Sequence, residues 1–206
     1  MKKEDLVKLA NPHFHEEIGV TTRWRVGDNA GTKDGHSVNV IYPYYDADQC
    51  REILDAVCGS EAWGNEYREV KGYLFCSIGI QVDGEFVEKS DAGGARMPRK
   101  NLKEEDAETF RAKTAASSAF VRAAYAWGIG RHHDMLPPVY LQKGSGYGEV
   151  ITPSGEVLSN PAELSAYCNG VSTSTGWLAS IYRANKNTFD TNPRLLECLT
   201  LIKEAL

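Results

Sequence analysis

The sequence predicts an α+β fold: an antiparallel β-meander packed on one long helix, with a helical C-terminal extension. Three observations predict it. Between Asn65 and Lys89, β-prone segments alternate with turn formers, and Asp83-Gly84 is the two-residue signature of a hairpin. The run from Ala115 to Gly128 is dense in small residues and is a strong helix by propensity, with the acids Glu104-Glu105-Asp106 at the start of the long helix. The strands come first and the long helix after them, an order that favours α+β over alternating βαβ units.

The elements follow in order along the chain. Lys2 to Ala10 is predicted to be a short helix stopped by Asn11-Pro12. Val20 to Val26 is β-prone and runs into the turn cluster Gly27-Asp28-Asn29. Lys33-Asp34-Gly35 supports a second turn before a strand from Ser37 to Tyr44. Asp46 can cap a helix from Ala47 to Val57, with Ile53, Leu54 and Val57 on one side and Gly59 beyond its end. Three strands follow, Asn65–Val70, Tyr73–Val82 and Glu85–Lys89. Asp91 to Lys103, rich in glycine and basic residues, is expected to be an exposed loop. Glu104-Glu105-Asp106 places acids where a helix dipole favours them, and Gly128 and Gly130 stop that helix.

The texture changes beyond Pro137-Pro138. Lys143 to Gly148 is expected to be a flexible link, and Thr152 to Glu156 a turn. Helices are predicted at Pro161–Cys168, Thr175–Lys186 and Pro193–Leu206, with capping residues at Thr173 to Gly176. The chain therefore divides into residues 1–142, one domain, and residues 143–206, an extension.

Composition narrows the class of protein. A chain of 206 residues is one ordinary domain or a domain with an appendage. No apolar run approaches the ~20 residues that cross a bilayer, and Met1 to Asp5 lacks the pattern of a signal peptide. A cytoplasmic location with no membrane partner is expected. Five widely spaced cysteines (Cys50, Cys58, Cys76, Cys168 and Cys198) fit reduced, mostly buried thiols.

The net charge is −5, but it is unevenly spread. From Lys89 to Arg131, nine basic residues stand against five acidic ones, the local excess expected at a polyanion site. Along the long helix, Phe110, Ser117, Phe120, Val121 and Ala124 share one face at 100° per residue. Arg111, Ala115, Ser118, Arg122 and Tyr125 share another. That second face would let a backbone approach closely, with guanidinium groups for phosphates and a ring for stacking. An ordinary amphipathic helix with solvated arginines has the same pattern. Tyr44, Tyr45 and Tyr125 are candidate stacking platforms, whereas Trp63 and Trp127 are expected in the core.

Catalytic motifs give little. His132-His133-Asp134 lacks metal-ligand spacing and is expected in a loop after the helix stop, as are His13 and His15 beside Pro12. The sequence holds no Gly-x-Ser-x-Gly, no phosphate-binding loop and no dinucleotide fingerprint. No cofactor is expected, and an ATP-driven recombinase is disfavoured.

The run Ser117-Ser118-Ala119-Phe120-Val121-Arg122-Ala123-Ala124-Tyr125-Ala126-Trp127-Gly128 resembles the alanine-rich helix of the Rad52 family of single-strand annealing proteins. An upstream block is similar to the family's second signature: Tyr44-Tyr45-Asp46-Ala47, then Cys50 to Asp55, then Gly59-Ser60-Glu61-Ala62-Trp63. Cys76 to Ile80 and Ala92-Gly93-Gly94 fall between them, in the order of a family strand and glycine turn. The resemblance implies ATP-independent binding and annealing of single-stranded DNA in recombination or repair, by a ring-shaped homo-oligomer and without bond-making chemistry. A single-strand-binding protein is an implied partner. Arg122 matches the family's helix arginine in the DNA groove, Lys113 an earlier basic position, Tyr44 the tyrosine opening its block, and Arg25 (or Arg23) an arginine of the N-terminal strand. Arg96, Arg99, Lys100, Arg111, Tyr125 and Arg131 complete the expected DNA-binding set. Val121 departs from the pattern, standing where the family has a lysine. Two other readings remain: a binder that protects single-stranded ends without annealing, and a metal-dependent nucleic-acid hydrolase.

Overall fold

The computed structural model describes residues 1–33, 36–95, 103–136 and 139–172. In chain order these form a 3-10 segment Lys3–Ala10, α1 (Pro12–Glu17), β1 (Arg23–Lys33), β2 (His36–Tyr44), α2 (Ala47–Cys58), β3 (Trp63–Val70), β4 (Tyr73–Val82), β5 (Glu85–Gly93) and α3 (Glu104–Ala126). A second 3-10 segment, Arg131–Met135, precedes β6 (Val139–Lys143), β7 (Val150–Ile151), β8 (Val157–Leu158) and α4 (Pro161–Ser172). The fold is α+β with two antiparallel sheets and one long helix. The helices expected at Thr175–Lys186 and Pro193–Leu206 lie outside the described residues.

Two compact units are present, each assembled from two separated stretches of chain. The first comprises Met1–Thr21 and Tyr45–Arg131, the second Thr22–Tyr44 and His132–Leu206. Neither coincides with residues 1–142 or 143–206, and β6 runs across that boundary.

In the first unit, β3, β4 and β5 form the expected meander. Both its turns are two-residue hairpins with left-handed backbone, Lys71-Gly72 and Asp83-Gly84. Only the second was announced by its residue types. On β4, Cys76, Ile78, Ile80 and Val82 alternate onto one face and are buried against Phe120, Ala123 and Ala124 of α3 and Ile53 and Leu54 of α2. The guanidinium of Arg51 covers the Phe120 ring at 4.5 Å. α2 begins as expected, with a reciprocal capping box: Asp46 accepts from the Gln49 amide, and the Gln49 side chain accepts from the Asp46 amide. Trp127 is in the core, its indole donating to the Ile78 carbonyl at 3.0 Å. Trp63 is half-buried and donates to Asp55 at 2.7 Å.

Asn11-Pro12 does not simply end a helix. The Asn11 side chain accepts from the His13 and Phe14 amides and Pro12 takes the first helical position, so the pair starts α1. His13 and His15 are therefore helical, not in a loop. His15 is wholly buried between the Lys8 carbonyl (Nε2, 3.2 Å) and the Tyr45 hydroxyl (Nδ1, 3.2 Å). A carbonyl can only accept, so Nε2 carries the proton and Nδ1 accepts from Tyr45. Desolvation holds the His15 pKa down at about 4, against the opposing pull of the Lys8 and Leu9 carbonyls. Tyr45 is thus a core residue and not an exposed stacking ring.

In the second unit the sheet order is β1-β2-β6-β7-β8. Its core gathers Trp24, Ile41, Leu141, Val150 and Leu158 beneath Leu164 and Cys168 of α4. Gly27-Asp28-Asn29 is not a turn. β1 continues through it to Lys33, and the irregularity is a register shift between Val26 and Ala30. The glycine serves a different purpose: a Cβ on Gly27 would stand 2.3 Å from the Tyr42 ring, which lies across the strand there. The first unit repeats the device, since a Cβ on Gly79 would meet the Phe86 ring at 2.0 Å. Gly144 to Gly148 is not a loose link. The Glu149 carboxylate accepts from the Gly146 amide at 2.6 Å, and its carbonyl accepts from Gly144 at 3.0 Å.

Among the described residues, Cys50, Cys76 and Cys168 are buried and Cys58 is half-buried, all as free thiols. Burial pushes Cys50 and Cys168 up to about 12 and Cys58 and Cys76 up to about 11.

Candidate nucleic-acid interface

α3 is docked on β5 through a repeating geometric match. Two strand residues advance about 6.8 Å and four helix residues about 6 Å. Every second residue of β5 therefore meets α3 about one turn earlier along the helix. Lys89 reaches the Ala126 carbonyl at 3.0 Å. Asp91 meets Arg122, with its two carboxylate oxygens 3.0 and 3.3 Å from one guanidinium nitrogen. Gly93 lies against the Ala115–Ala119 turn, where a Cβ would stand 2.2 Å from the Ala119 nitrogen and 2.4 Å from the Ala115 oxygen. The small residues of α3 do admit a close backbone, and that backbone is β5 of the same chain.

The buried residues of α3 are Ala107, Ala119, Phe120, Ala123 and Ala124. Phe110 and Ser117, expected with Phe120 on the apolar face, are exposed. The difference arises because β5 claims the side of the helix centred on Ala119 and Ala123.

The last turn of α3 closes with a glycine motif. The Gly128 amide donates to Tyr125 at 3.0 Å and the Ile129 amide to Ala124 at 3.2 Å, with Gly128 left-handed at φ 107°. Two cations also donate to carbonyls of this turn. Arg131 donates to the Tyr125 carbonyl at 2.8 Å and to Ala126 at 3.0 Å, while its guanidinium lies 5.6 Å from the Tyr125 ring. Lys89 shares the Ala126 carbonyl and sits 4.3 Å from the Trp127 ring. Both positions suit the negative end of the helix dipole. Burial lowers the Lys89 pKa, and the neighbouring Arg131 charge lowers it further.

The expected DNA-binding residues thus fall in different places. Arg122, Tyr125 and Arg131 come together at the C-terminal end of α3, and Lys89 joins them although by sequence it is just one member of the basic tract. Its signal was the period-two alternation Val87, Lys89, Asp91, Gly93 on one strand face. Arg111, farther up the helix, is half-buried and ion-paired with Glu104. Lys113 is exposed. Arg25 and Tyr44 belong to the second unit, where the guanidinium lies 5.3 Å from the ring. Arg96, Arg99 and Lys100 lie outside the described residues.

His132 and His133 are in a 3-10 segment, not an open loop, with ring centroids 4.0 Å apart. His133 is buried and bonds through Nε2 to the Thr22 hydroxyl at 3.1 Å. Among the described residues, no group of three His, Cys, Asp or Glu side chains is placed to hold a metal ion. No described helix is long and apolar enough to cross a membrane.

What these groups offer is fixed positive charge beside aromatic rings, the combination that holds phosphates and stacks bases. The chain matches no protein-family model, no curated protein and no solved structure.

Proposed function

We propose that this chain binds single-stranded DNA and promotes annealing of complementary strands without ATP, as a Rad52-like homo-oligomer. The observation that carries the reading is a row of three held cations along the last turns of α3: Arg122 against Asp91, Lys89 at the Ala126 carbonyl, and Arg131 at the Tyr125 carbonyl and ring. Arg122 is also the residue that the resemblance singles out. Backbone carbonyls and Asp91 hold these cations in place, so little side-chain entropy is lost when a phosphate arrives. Base stacking on tyrosine is indifferent to base identity, which suits a protein that must accept any sequence. Pairing of the strands supplies the driving force, and no covalent bond changes.

The test is annealing of two complementary dye-labelled oligonucleotides by the purified protein, with neither nucleotide nor added metal. Acceleration that Arg122→Ala abolishes supports the proposal. Tight single-strand binding without acceleration replaces it with an end-protecting binder. Absence of both removes nucleic-acid binding from the account.

A further inference from the structure

The meander of the first unit ends in an open edge. Its strand order is β3-β4-β5, and among the described residues no strand lies beyond β3. β3 pairs with β4 residue by residue from Trp63 to Val70, with no bulge and no proline. Every residue from Gly64 to Val70 is exposed. Soluble proteins blunt such an edge with a bulge, a proline or covering chain, because its free N–H and C=O groups are a template for another strand.

The hydrogen-bond phase of β3 shows which of its groups are free. The Ala62 carbonyl accepts from the Gln81 amide at 2.9 Å. Every second residue after Ala62 (Gly64, Glu66, Arg68, Val70) therefore turns its backbone groups toward β4, and Asn65, Tyr67 and Glu69 turn theirs outward. The Tyr67 hydroxyl reaches the Ala116 carbonyl of α3, which puts the odd-numbered side chains on the helix side. Glu66 and Arg68 stand on the opposite, open face. Among the described residues, neither has an ion-pair partner within its own chain.

The charges on that face select one register. Antiparallel pairing with a second copy, about a two-fold axis at Tyr67, sets Asn65 opposite the partner's Glu69 and Glu66 opposite the partner's Arg68. The outward groups of Asn65, Tyr67 and Glu69 then make the hydrogen bonds, and Glu66 and Arg68 fall in the closer, non-hydrogen-bonded pairs. Symmetry makes the ion pair twice. Moving the axis by one residue sets Glu66 against Glu66 or Arg68 against Arg68, and like charges directly opposite are destabilising. We infer that β3 is a self-association edge, joining two copies of this chain into one continuous antiparallel sheet with three strands from each. The contact goes beyond the oligomer of the proposed function, because a two-fold contact closes on two chains whereas a ring needs a head-to-tail one.

Sedimentation velocity on the full chain, without nucleic acid and over a concentration series, tests this. Glu66→Arg and Arg68→Glu each place like charges opposite one another. Either is expected to halve the mass of the assembly and to raise its Kd about fourfold or more. The double variant E66R/R68E restores both ion pairs and is expected to associate as the parent does. Asn65→Pro removes an outward N–H while sparing the bonds to β4, and is expected to halve the mass with near-UV circular dichroism unchanged. Mixing chains that carry Glu66→Cys with chains that carry Arg68→Cys is expected to give disulfide-linked pairs that neither makes alone. A parent that stays monomeric across the series, or an assembly unmoved by both charge reversals and by Asn65→Pro, would overturn the inference. Failure of the DNA reading is separately visible, because it is read from annealing and Arg122→Ala and not from mass.

Discussion

Asp91→Asn tests how the α3 cations are held and what they do. In the folded chain both Asp91 oxygens face Arg122, at 3.0 and 3.3 Å, and one also accepts from the Ala92 amide at 2.7 Å. The Arg122 side chain is 59% exposed, so the pair is screened by solvent and contributes on the order of 0.2–1 kcal/mol to stability. Asparagine keeps the shape and the acceptor for Ala92 but removes the negative charge. Unfolding midpoints should therefore move little, while affinity for a thymidine homo-oligomer should rise, because the phosphate no longer competes with a carboxylate. Arg122→Ala should act oppositely, making the slope of log K against log salt shallower by about 0.7 for each phosphate that Arg122 neutralises. Over a fourfold change in salt that is about a 2.6-fold difference in affinity for each such phosphate. Fluorescence anisotropy across a salt series measures both, and the double variant completes the cycle, since Asp91→Asn should have no effect once Arg122 is alanine. An unchanged affinity in Asp91→Asn together with an unchanged slope in Arg122→Ala would refute the assignment of Arg122 to the interface.

Two further outcomes follow from the packing. Gly93→Ala forces a methyl group into the backbone of α3 at Ala115 and Ala119, where the neighbours are main-chain atoms that cannot rotate away. A loss of about 1–3 kcal/mol or more is expected, read as a lowered urea midpoint, and a midpoint within error of the parent would show that α3 does not sit this close. His15 makes stability depend on pH. Its folded pKa of about 4 lies below the ordinary 6.5, so the folded state takes up fewer protons than the unfolded one. Its contribution is present in full above pH 6.5 and is lost as pH falls towards 4, on the order of 3 kcal/mol across the window. Urea titrations at pH 7, 5.5 and 4 check this, and His15→Gln should flatten that part of the profile.

What the sequence alone determined was local. The Asp46 cap, the Asp83-Gly84 hairpin and the extents of β4 and α3 depend on residues within a few positions of one another, where propensity and turn chemistry act directly. The same locality explains the errors. Gly27-Asp28-Asn29 has turn-forming composition, but the Tyr42 ring lying on Gly27 comes from the neighbouring strand, and it decides that β1 continues. Asn11-Pro12 carries the residues of a helix start as much as those of a stop, and the choice is settled by where His15 is buried. The tertiary structure decided the rest. Which side of an alanine-rich helix faces inward depends on the strand packed against it, and Gly93 selected the side that amphipathic counting assigned partly to an open groove. The interleaving of the two units rests on β2 pairing with β6, about a hundred residues away. Burial of apolar surface selects such a partner over the whole chain, and no window of sequence contains both strands.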